Sequence, residues 1–235
     1  MMLLRSTVFY CFMVAWTLFI AIFCSPLLIA RNQYLYYSCR TWSKGLIIAL
    51  RILCNIKYKI IGIDNLPEPP YIVASKHQSV LETILFWQIF LPPLYILKKE
   101  LTKIPFFGWY LLRLGMIAID RQGQSIALKQ MISKAAKAIE HKATIIIFPE
   151  GTRTTAGQQS SRYLPGVTAL YSTINVPVVP IALNSGKFWP SKKFTMKSGT
   201  VTIKILKPIE PGMEKKAFLT LLLLSIEENS LDLLR

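Results

Sequence analysis

The chain begins with a long apolar stretch. Residues 6–30 carry no charged side chain, and this run exceeds the roughly 20 residues that an α-helix needs to cross a bilayer. It is also longer than the apolar core of a signal peptide, usually about 7 to 15 residues, and no clear cleavage site follows it. The pattern therefore predicts a transmembrane helix that Pro26 kinks or ends.

The next stretch, residues 34–56, mixes Tyr, Trp and Leu with Arg and Lys. This mixture is typical of a helix that lies at a membrane interface. The two stretches together predict a membrane-anchoring region over residues 1–56. The region is either a helical hairpin or one span followed by a surface helix.

From residue 57 onward, short runs rich in β-branched residues alternate with helical patterns. The predicted strands are residues 59–63, 71–74, 94–98, 116–119, 144–148, 178–183 and 201–206. The clearest helices are residues 125–142, whose apolar side chains share one face, and residues 214–234. Strands that alternate with helices predict a layered α/β domain over residues 57–235, with a mostly parallel central sheet flanked by helices.

The composition of the chain indicates what kind of surface the protein binds. Lys and Arg number 28 against 12 Asp and Glu, a formal net charge of +16, while 52% of the residues are hydrophobic. A chain that is both basic and apolar suits an anionic membrane surface. Nucleic acid is excluded as a partner because the chain lacks zinc-ligand spacing, a basic region with heptads and an aromatic RNA-binding signature. The 4 cysteines form no close pair and predict neither a metal site nor a disulfide framework.

Positive charge is distributed unevenly around the apolar stretch. Arg5 precedes it, whereas Arg31, Arg40, Lys44 and Arg51 follow it. Positive residues beside a span usually stay on the cytoplasmic side. We therefore expect a membrane-bound protein, in the inner membrane if the source is bacterial, whose residues 57–235 face the cytosol.

A histidine and a glutamate lie close together in the sequence Ser-Lys-His-Gln-Ser-Val-Leu-Glu-Thr at residues 75–83, directly after a predicted strand. A histidine can take a proton from an alcohol when a carboxylate fixes its tautomer and stabilises the imidazolium. Residues at i and i+5 of an ideal helix are about 140° apart, so His77 and Glu82 can meet only if His77 lies in the loop before the helix. In the alternative, Ser79 is the N-cap of a capping box and Glu82 bonds back to its amide. The residues alone leave both roles open.

Charged residues follow two other predicted strands. The sequence Phe-Pro-Glu-Gly-Thr-Arg ends at Arg153, and a second strand is followed by Asp120 and Arg121. Ligands usually bind at the carboxyl ends of the strands of an α/β sheet. Arg153 can bind a phosphate through two parallel hydrogen bonds, and Arg121 can add to the same pocket. The alternatives are an ordinary turn with a surface salt bridge and, for Asp120, an ion pair with Arg121 or a neighbouring loop.

The order and spacing of these motifs resemble those of the glycerolipid acyltransferase family, the bacterial-type 1-acylglycerol-3-phosphate acyltransferases. The resemblance extends over about residues 60–206 and rests on four blocks, at residues 77–82, 115–121, 148–153 and 176–180. It implies that His77 is the general base and that Glu82 orients it. The family usually has Asp in place of Glu82, and similar proteins often have a basic residue in place of Leu164.

The resemblance also implies a substrate-binding set. Arg153 and a lysine of the pair at residues 98 and 99, for which we choose Lys98, contact the substrate phosphate. Glu150 positions the glycerol, and Gly151 and Thr152 form the turn of the same loop.

The reaction implied is transfer of a fatty acyl group from acyl-CoA or acyl carrier protein to the free hydroxyl of 1-acyl-sn-glycerol-3-phosphate, giving phosphatidic acid for phospholipid biosynthesis. We expect a lysophospholipid substrate, an acyl thioester co-substrate, no metal and no other cofactor. We also expect no covalent intermediate, with backbone amides near the helix start binding the oxyanion. Two alternatives remain: an acyltransferase for another lysolipid, such as lyso-ornithine lipid, and a catalytically silent membrane protein that binds anionic lipid.

Overall fold

The computed structural model describes residues 1–29, 31–90, 92–120 and 123–235. Ala30, the last residue of the predicted transmembrane stretch, lies outside these ranges. Arg121, a predicted phosphate ligand, also lies outside the described residues.

Seven strands form one sheet within the described ranges. They are β1 (Ile56–Ile61), β2 (Ile72–Ser75), β3 (Pro93–Lys98), β4 (Ile117–Ile119), β5 (Thr144–Ile147), β6 (Val178–Leu183) and β7 (Gly199–Ile205). Their order is β1-β7-β6-β2-β5-β3-β4, and neighbouring strands are parallel except β6 and β7. Each predicted strand is present, and the mostly parallel α/β fold is confirmed.

Helices precede the sheet and cover it. They are α1 (Met2–Phe23), α2 (Asn32–Cys54), α3 (Leu81–Ile89), α4 (Phe107–Arg113), α5 (Gln124–Glu140), α6 (Pro165–Thr173), α7 (Ser185–Phe188) and α8 (Lys215–Asp232). The two helices predicted in the domain correspond to α5 and α8. Helix α8 begins where it was expected because the Glu214 side chain accepts hydrogen bonds from the amides of Lys216 and Ala217, which would otherwise lack partners.

The sheet separates two apolar layers. Successive side chains of a strand point to opposite faces: in β2, Ile72 and Ala74 belong to one layer and Val73 to the other. Likewise Ile145 of β5 packs with the first layer and Ile146 with the second. The Ile72 side packs against α5, α6 and α8, and the Val73 side packs against α1, α2, α3 and α4. Both faces of the central strands are therefore buried, as their nearly continuous apolar sequences predict.

Helices α1 and α2 form an antiparallel hairpin, the first of the two arrangements left open by the sequence. The Trp16 Nε1 donates to the backbone oxygen of Trp42 at 3.0 Å, and Trp42 Nε1 donates to the Thr17 hydroxyl at 2.9 Å. The two helices are in close contact at Gly45, because a Cβ atom there would lie 2.6 Å from the Trp16 ring. A larger residue at position 45 would separate them.

Helix α1 also packs against the domain. The Met196 amide donates to the Ser6 hydroxyl at 2.9 Å, and Phe9 is fully buried. Further along α1, the backbone oxygen of Ala21 accepts from the Tyr110 hydroxyl of α4 at 3.0 Å. The helix therefore runs along the outside of the domain and contacts it near both of its ends.

Among the described helices, α1 is the one with the length and apolar composition to cross a membrane, and 11% of its most apolar stretch is buried. It ends at Phe23, and Pro26 lies in the 3-10 turn that follows, Ser25–Leu28. Residues of α1 and α2 share a core layer with the sheet. The division of the chain at residue 56 stays a prediction.

Candidate active site

The loop between β2 and α3 brings His77 to Glu82. Strand β2 ends at Ser75 and α3 begins at Leu81, so His77 precedes the helix, as the i+5 spacing requires. Its Nδ1 lies 2.9 Å from Glu82 Oε1. A carboxylate can only accept hydrogen bonds, so the neutral imidazole carries its proton on Nδ1 and its Nε2 is free to accept one.

The Glu82 carboxylate is fully buried and accepts three further hydrogen bonds. Oε1 receives the amides of Gln78 and Ser79 at 2.6 Å and 2.7 Å, and Oε2 receives the Ser185 hydroxyl at 2.8 Å. Glu82 therefore contacts the histidine and bonds back to the Ser79 amide at the same time. The predicted N-cap is wrong by one residue, because Val80 occupies that position.

Three of the backbone amides near the start of α3 already have acceptors in the structure. The amides of Gln78 and Ser79, near the start of α3, already donate to Glu82, and the Leu81 amide donates to the Ser79 hydroxyl at 3.2 Å. The expectation that amides near the helix start bind the oxyanion stays a prediction.

The His77 ring packs on Phe148 at the end of β5, with ring centroids 4.0 Å apart and planes tilted by 19°. Its backbone joins the same neighbouring loop, since the His77 oxygen accepts from the amide and hydroxyl of Thr154 at 2.7 Å and 3.1 Å. The His77 amide donates to Glu150 Oε1 at 3.3 Å. Histidine and the loop at residues 148–154 are therefore held against each other.

Glu150 is turned into the protein. Its side chain is 3% exposed, and Oε1 lies 3.3 Å from the ammonium of Lys76. Oε2 has no hydrogen-bond partner among the residues that the structure describes. Burial raises the pKa of Glu150 to about 7, although the nearby Lys76 acts in the opposite direction. The proposed contact of Glu150 with glycerol stays a prediction.

A buried polar cluster beneath this loop was missed by the sequence reasoning. Lys76, 1% exposed, places its ammonium 2.8 Å and 2.7 Å from the two carboxylate oxygens of Glu227 on α8. Ser185 is a second omission, and it lies five residues after the last motif block. The available signals were the charge at residue 76 beside the histidine and the charge at residue 227 next to apolar Ile226 in a predicted helix.

The other predicted binding residues lie near the surface. Lys98 ends β3, is 52% exposed and pairs with Glu100 at 3.6 Å. Lys99 pairs with Asp120 at 3.6 Å, which confirms an ion pair of Asp120 with a neighbouring loop. Both pairs are exposed and contribute little to stability.

Thr152 and Arg153 are exposed at the turn after β5. Gly151 has a φ of +69°, and a Cβ atom at this position would overlap the side chain of Leu164, so glycine suits the turn for both reasons. The structure thus brings His77, Glu82 and Glu150 together and leaves Thr152, Arg153 and Lys98 accessible to solvent. No group of three or more His, Cys, Asp or Glu residues that could hold a metal ion occurs in the described part of the chain.

Comparison with known proteins gives consistent matches. The Acyltransferase family model matches residues 57–184. A 1-acyl-sn-glycerol-3-phosphate acyltransferase of Pseudomonas aeruginosa is 38% identical over 186 residues, which cover 79% of this chain and 72% of that protein. A protein of the same name from Saccharomyces cerevisiae is 28% identical over 68% of this chain and 54% of its own length. The crystal structure of the 1-acyl-sn-glycerophosphate acyltransferase PlsC from Thermotoga maritima superposes with a TM-score of 0.78 at 25% identity, over 99% of this chain and 95% of that one.

Proposed function

The chain belongs to the acyltransferase family, and from this we propose that it transfers an acyl group from an acyl thioester to the free hydroxyl of 1-acyl-sn-glycerol-3-phosphate. The observation that carries the proposal is the contact between His77 Nδ1 and Glu82 Oε1 at 2.9 Å. The similarity to the Pseudomonas aeruginosa enzyme supports the choice of substrate.

In the proposed reaction, His77 Nε2 takes the proton of the acceptor hydroxyl while the oxygen attacks the thioester carbonyl. Glu82, held by its buried donors, stabilises the imidazolium that forms. The tetrahedral intermediate then expels the thiolate, which receives the proton from His77. The products are phosphatidic acid and the free thiol, and His77 returns to its neutral form.

For the phosphate we propose Arg153 as the principal ligand, with Lys98 and Arg121 contributing. Arg153 is exposed five residues after Phe148, on which the His77 ring packs. Its guanidinium can form two parallel hydrogen bonds to a phosphate. Gly151 and Thr152 complete the loop that presents it.

We also propose that the protein attaches to one leaflet of a membrane without crossing it. Helix α1 contacts the domain at Ser6 and at Ala21, which are about 20 Å apart along a helix with a rise of 1.5 Å per residue. A helix held against the domain over this distance cannot leave it to cross a bilayer. Its outer face is apolar, and exposed large side chains of α4, such as Trp109 and Leu112, extend the apolar surface.

The experiment compares three detergent-solubilised proteins: wild type, His77→Ala and His141→Ala. His141 is the other histidine of the chain and is exposed at the end of α5, so its variant is a matched control. Each protein is incubated with 1-acyl-sn-glycerol-3-phosphate and either acyl-CoA or acyl carrier protein loaded with the same chain, and phosphatidic acid is measured. We expect product from wild type and His141→Ala and none from folded His77→Ala.

The other results are equally informative. Product formation by folded His77→Ala at the wild-type rate would show that His77 is not the general base. If wild type forms no phosphatidic acid with either donor but acylates a lyso-ornithine lipid, the lyso-ornithine lipid is the substrate instead. Leu164 beside the Gly151 turn makes this second substrate worth including, because the position offers no cation to a phosphate.

A further inference from the structure

Helix α8 carries one acidic residue on its buried face. Glu227 is 2% exposed and lies next to Ile226, which is fully buried, on a helix that also buries Phe218 and Leu222. Moving a carboxylate out of water is costly unless charged and hydrogen-bonding partners replace the solvent. The position of Glu227 therefore depends on the groups around it.

Those groups come from two separate parts of the site. The Lys76 ammonium donates to both carboxylate oxygens of Glu227, at 2.8 Å and 2.7 Å. The Ser160 amide and the Tyr163 hydroxyl also donate to it, at 3.1 Å and 2.9 Å. Lys76 directly precedes His77, whereas Ser160 and Tyr163 belong to the segment that follows the Glu150 turn. Glu227 thus connects the loop that carries His77 to the segment that follows the Glu150 turn.

Lys76 also links Glu227 to His77 through Glu150. Its ammonium also lies 3.3 Å from Glu150 Oε1, which accepts the His77 amide. One positive charge therefore stands between two buried carboxylates. The raised pKa of Glu150, caused first by burial and also by the negative charge of Glu227, is consistent with this shortage of positive charge.

We propose that Glu227 is a positioning residue of the acyl-transfer site: it fixes Lys76, and through Lys76 it sets where His77 stands relative to the Glu150 loop. This inference rests on the proposed function. Glu227 does not touch the reacting atoms, so its loss should disturb the chemical step more than the binding of either substrate.

The main variant is Glu227→Gln, which keeps the size of the side chain and removes its charge. Glu228→Gln is the matched control, because Glu228 is adjacent on α8 and exposed. Displacement of a catalytic group by about 1 Å can cost on the order of 100-fold in rate. We expect Glu227→Gln to lower kcat by about 10- to 100-fold while KM for both substrates stays within about twofold, and Glu228→Gln to match wild type.

A second measurement reports on His77 without any turnover. In a His141→Ala background, His77 is the remaining histidine, since the chain has 2. Its reaction with diethyl pyrocarbonate, followed by the absorbance of the carbethoxylated imidazole, then measures how accessible and how basic His77 is. We expect adding Glu227→Gln to change this rate severalfold, and adding Glu228→Gln to leave it unchanged.

The two measurements separate the inference from the function on which it rests. If wild type forms phosphatidic acid and Glu227→Gln has the same kcat and the same His77 reactivity as Glu228→Gln, the positioning role is wrong and the proposed function stands. If wild type forms no product but Glu227→Gln still changes His77 reactivity, the positioning role holds and the substrate is wrong. A lower melting temperature with unchanged kcat and reactivity would show a purely structural residue and overturn the inference.

Discussion

Replacement of Glu82 separates the two roles that its carboxylate combines. In Glu82→Gln, the amide oxygen can occupy the Oε1 position and keep the bonds from Gln78, Ser79 and His77, while its NH2 group donates to the Ser185 hydroxyl. The histidine tautomer is then retained, but the negative charge that stabilises the imidazolium is lost. We expect this variant to fold and to be slow.

The size of each effect can be worked out from the hydrogen bonds of the Glu82 carboxylate. A hydrogen bond to a charged group contributes about 1.5–3 kcal/mol, so loss of the charge should raise the barrier by about 2 kcal/mol and lower kcat roughly 30-fold. Glu82→Ala is different, because it leaves two amides and the Ser185 hydroxyl buried without an acceptor. Each such group costs about 1–3 kcal/mol, and the total is a large part of the 5–15 kcal/mol that typically stabilises a domain.

The assay measures kcat from product formation and the melting temperature from circular dichroism, both in the same detergent. Glu82→Gln should keep a melting temperature near that of wild type and lose activity, whereas Glu82→Ala should lose both. A Glu82→Ala protein as stable as wild type would refute the reasoning about its buried donors. A Glu82→Gln protein with wild-type kcat would refute the need for a charge beside His77.

Three other predictions concern the substrate, the hairpin and pH. Arg153→Ala should raise KM for the lysolipid at least tenfold and leave KM for the acyl donor nearly unchanged, because a bidentate contact with the phosphate is lost; equal effects on both constants would contradict the assignment. Gly45→Leu should lower the melting temperature by several degrees, since its side chain collides with Trp16, whereas an unchanged value would mean that the helices are not in close contact. The pKa of Glu150 is raised from 4.5 to about 7 in the folded protein. At a pH below the pKa of the unfolded chain, protonation of Glu150 therefore stabilises the fold by on the order of 3 kcal/mol, and this contribution is lost as the pH rises to about 7. Between pH 5 and pH 7.5 the free energy of unfolding, measured with urea, should therefore fall more in wild type than in Glu150→Gln. Equal falls would show that Glu150 does not have a raised pKa in the folded protein.

The sequence predicted the sheet well because the strands are short, apolar and buried on both faces. Thr144–Ile147, for example, is entirely buried, so its β-branched run has no competing interpretation as a surface helix. The i+5 argument also predicted how His77 and Glu82 meet. Both results depend on local spacing, which a sequence displays directly.

Contacts between distant residues could not be predicted in this way. Lys76 and Glu227 are 151 positions apart, and no local pattern pairs them. The bond between Ser6 and Met196, which joins α1 to the domain, connects residues 190 positions apart. The sequence also does not show that the Glu82 carboxylate accepts the Gln78 amide as well as the Ser79 amide.

The sheet order has a consequence for how the chain folds during synthesis. Strand β1 pairs with β7, where Ile56 aligns with Gly199. At about 5–20 residues per second the ribosome needs roughly 7 to 29 s to make the chain between them. Throughout that time β1, an edge strand of the finished sheet, lacks its partner strand, and Ser6 of α1 lacks the Met196 amide. The elements made first are thus completed by nearly the last-made ones, so the side of α1 that buries Ser6 and Phe9 stays uncovered by the domain until the chain around Met196 is made.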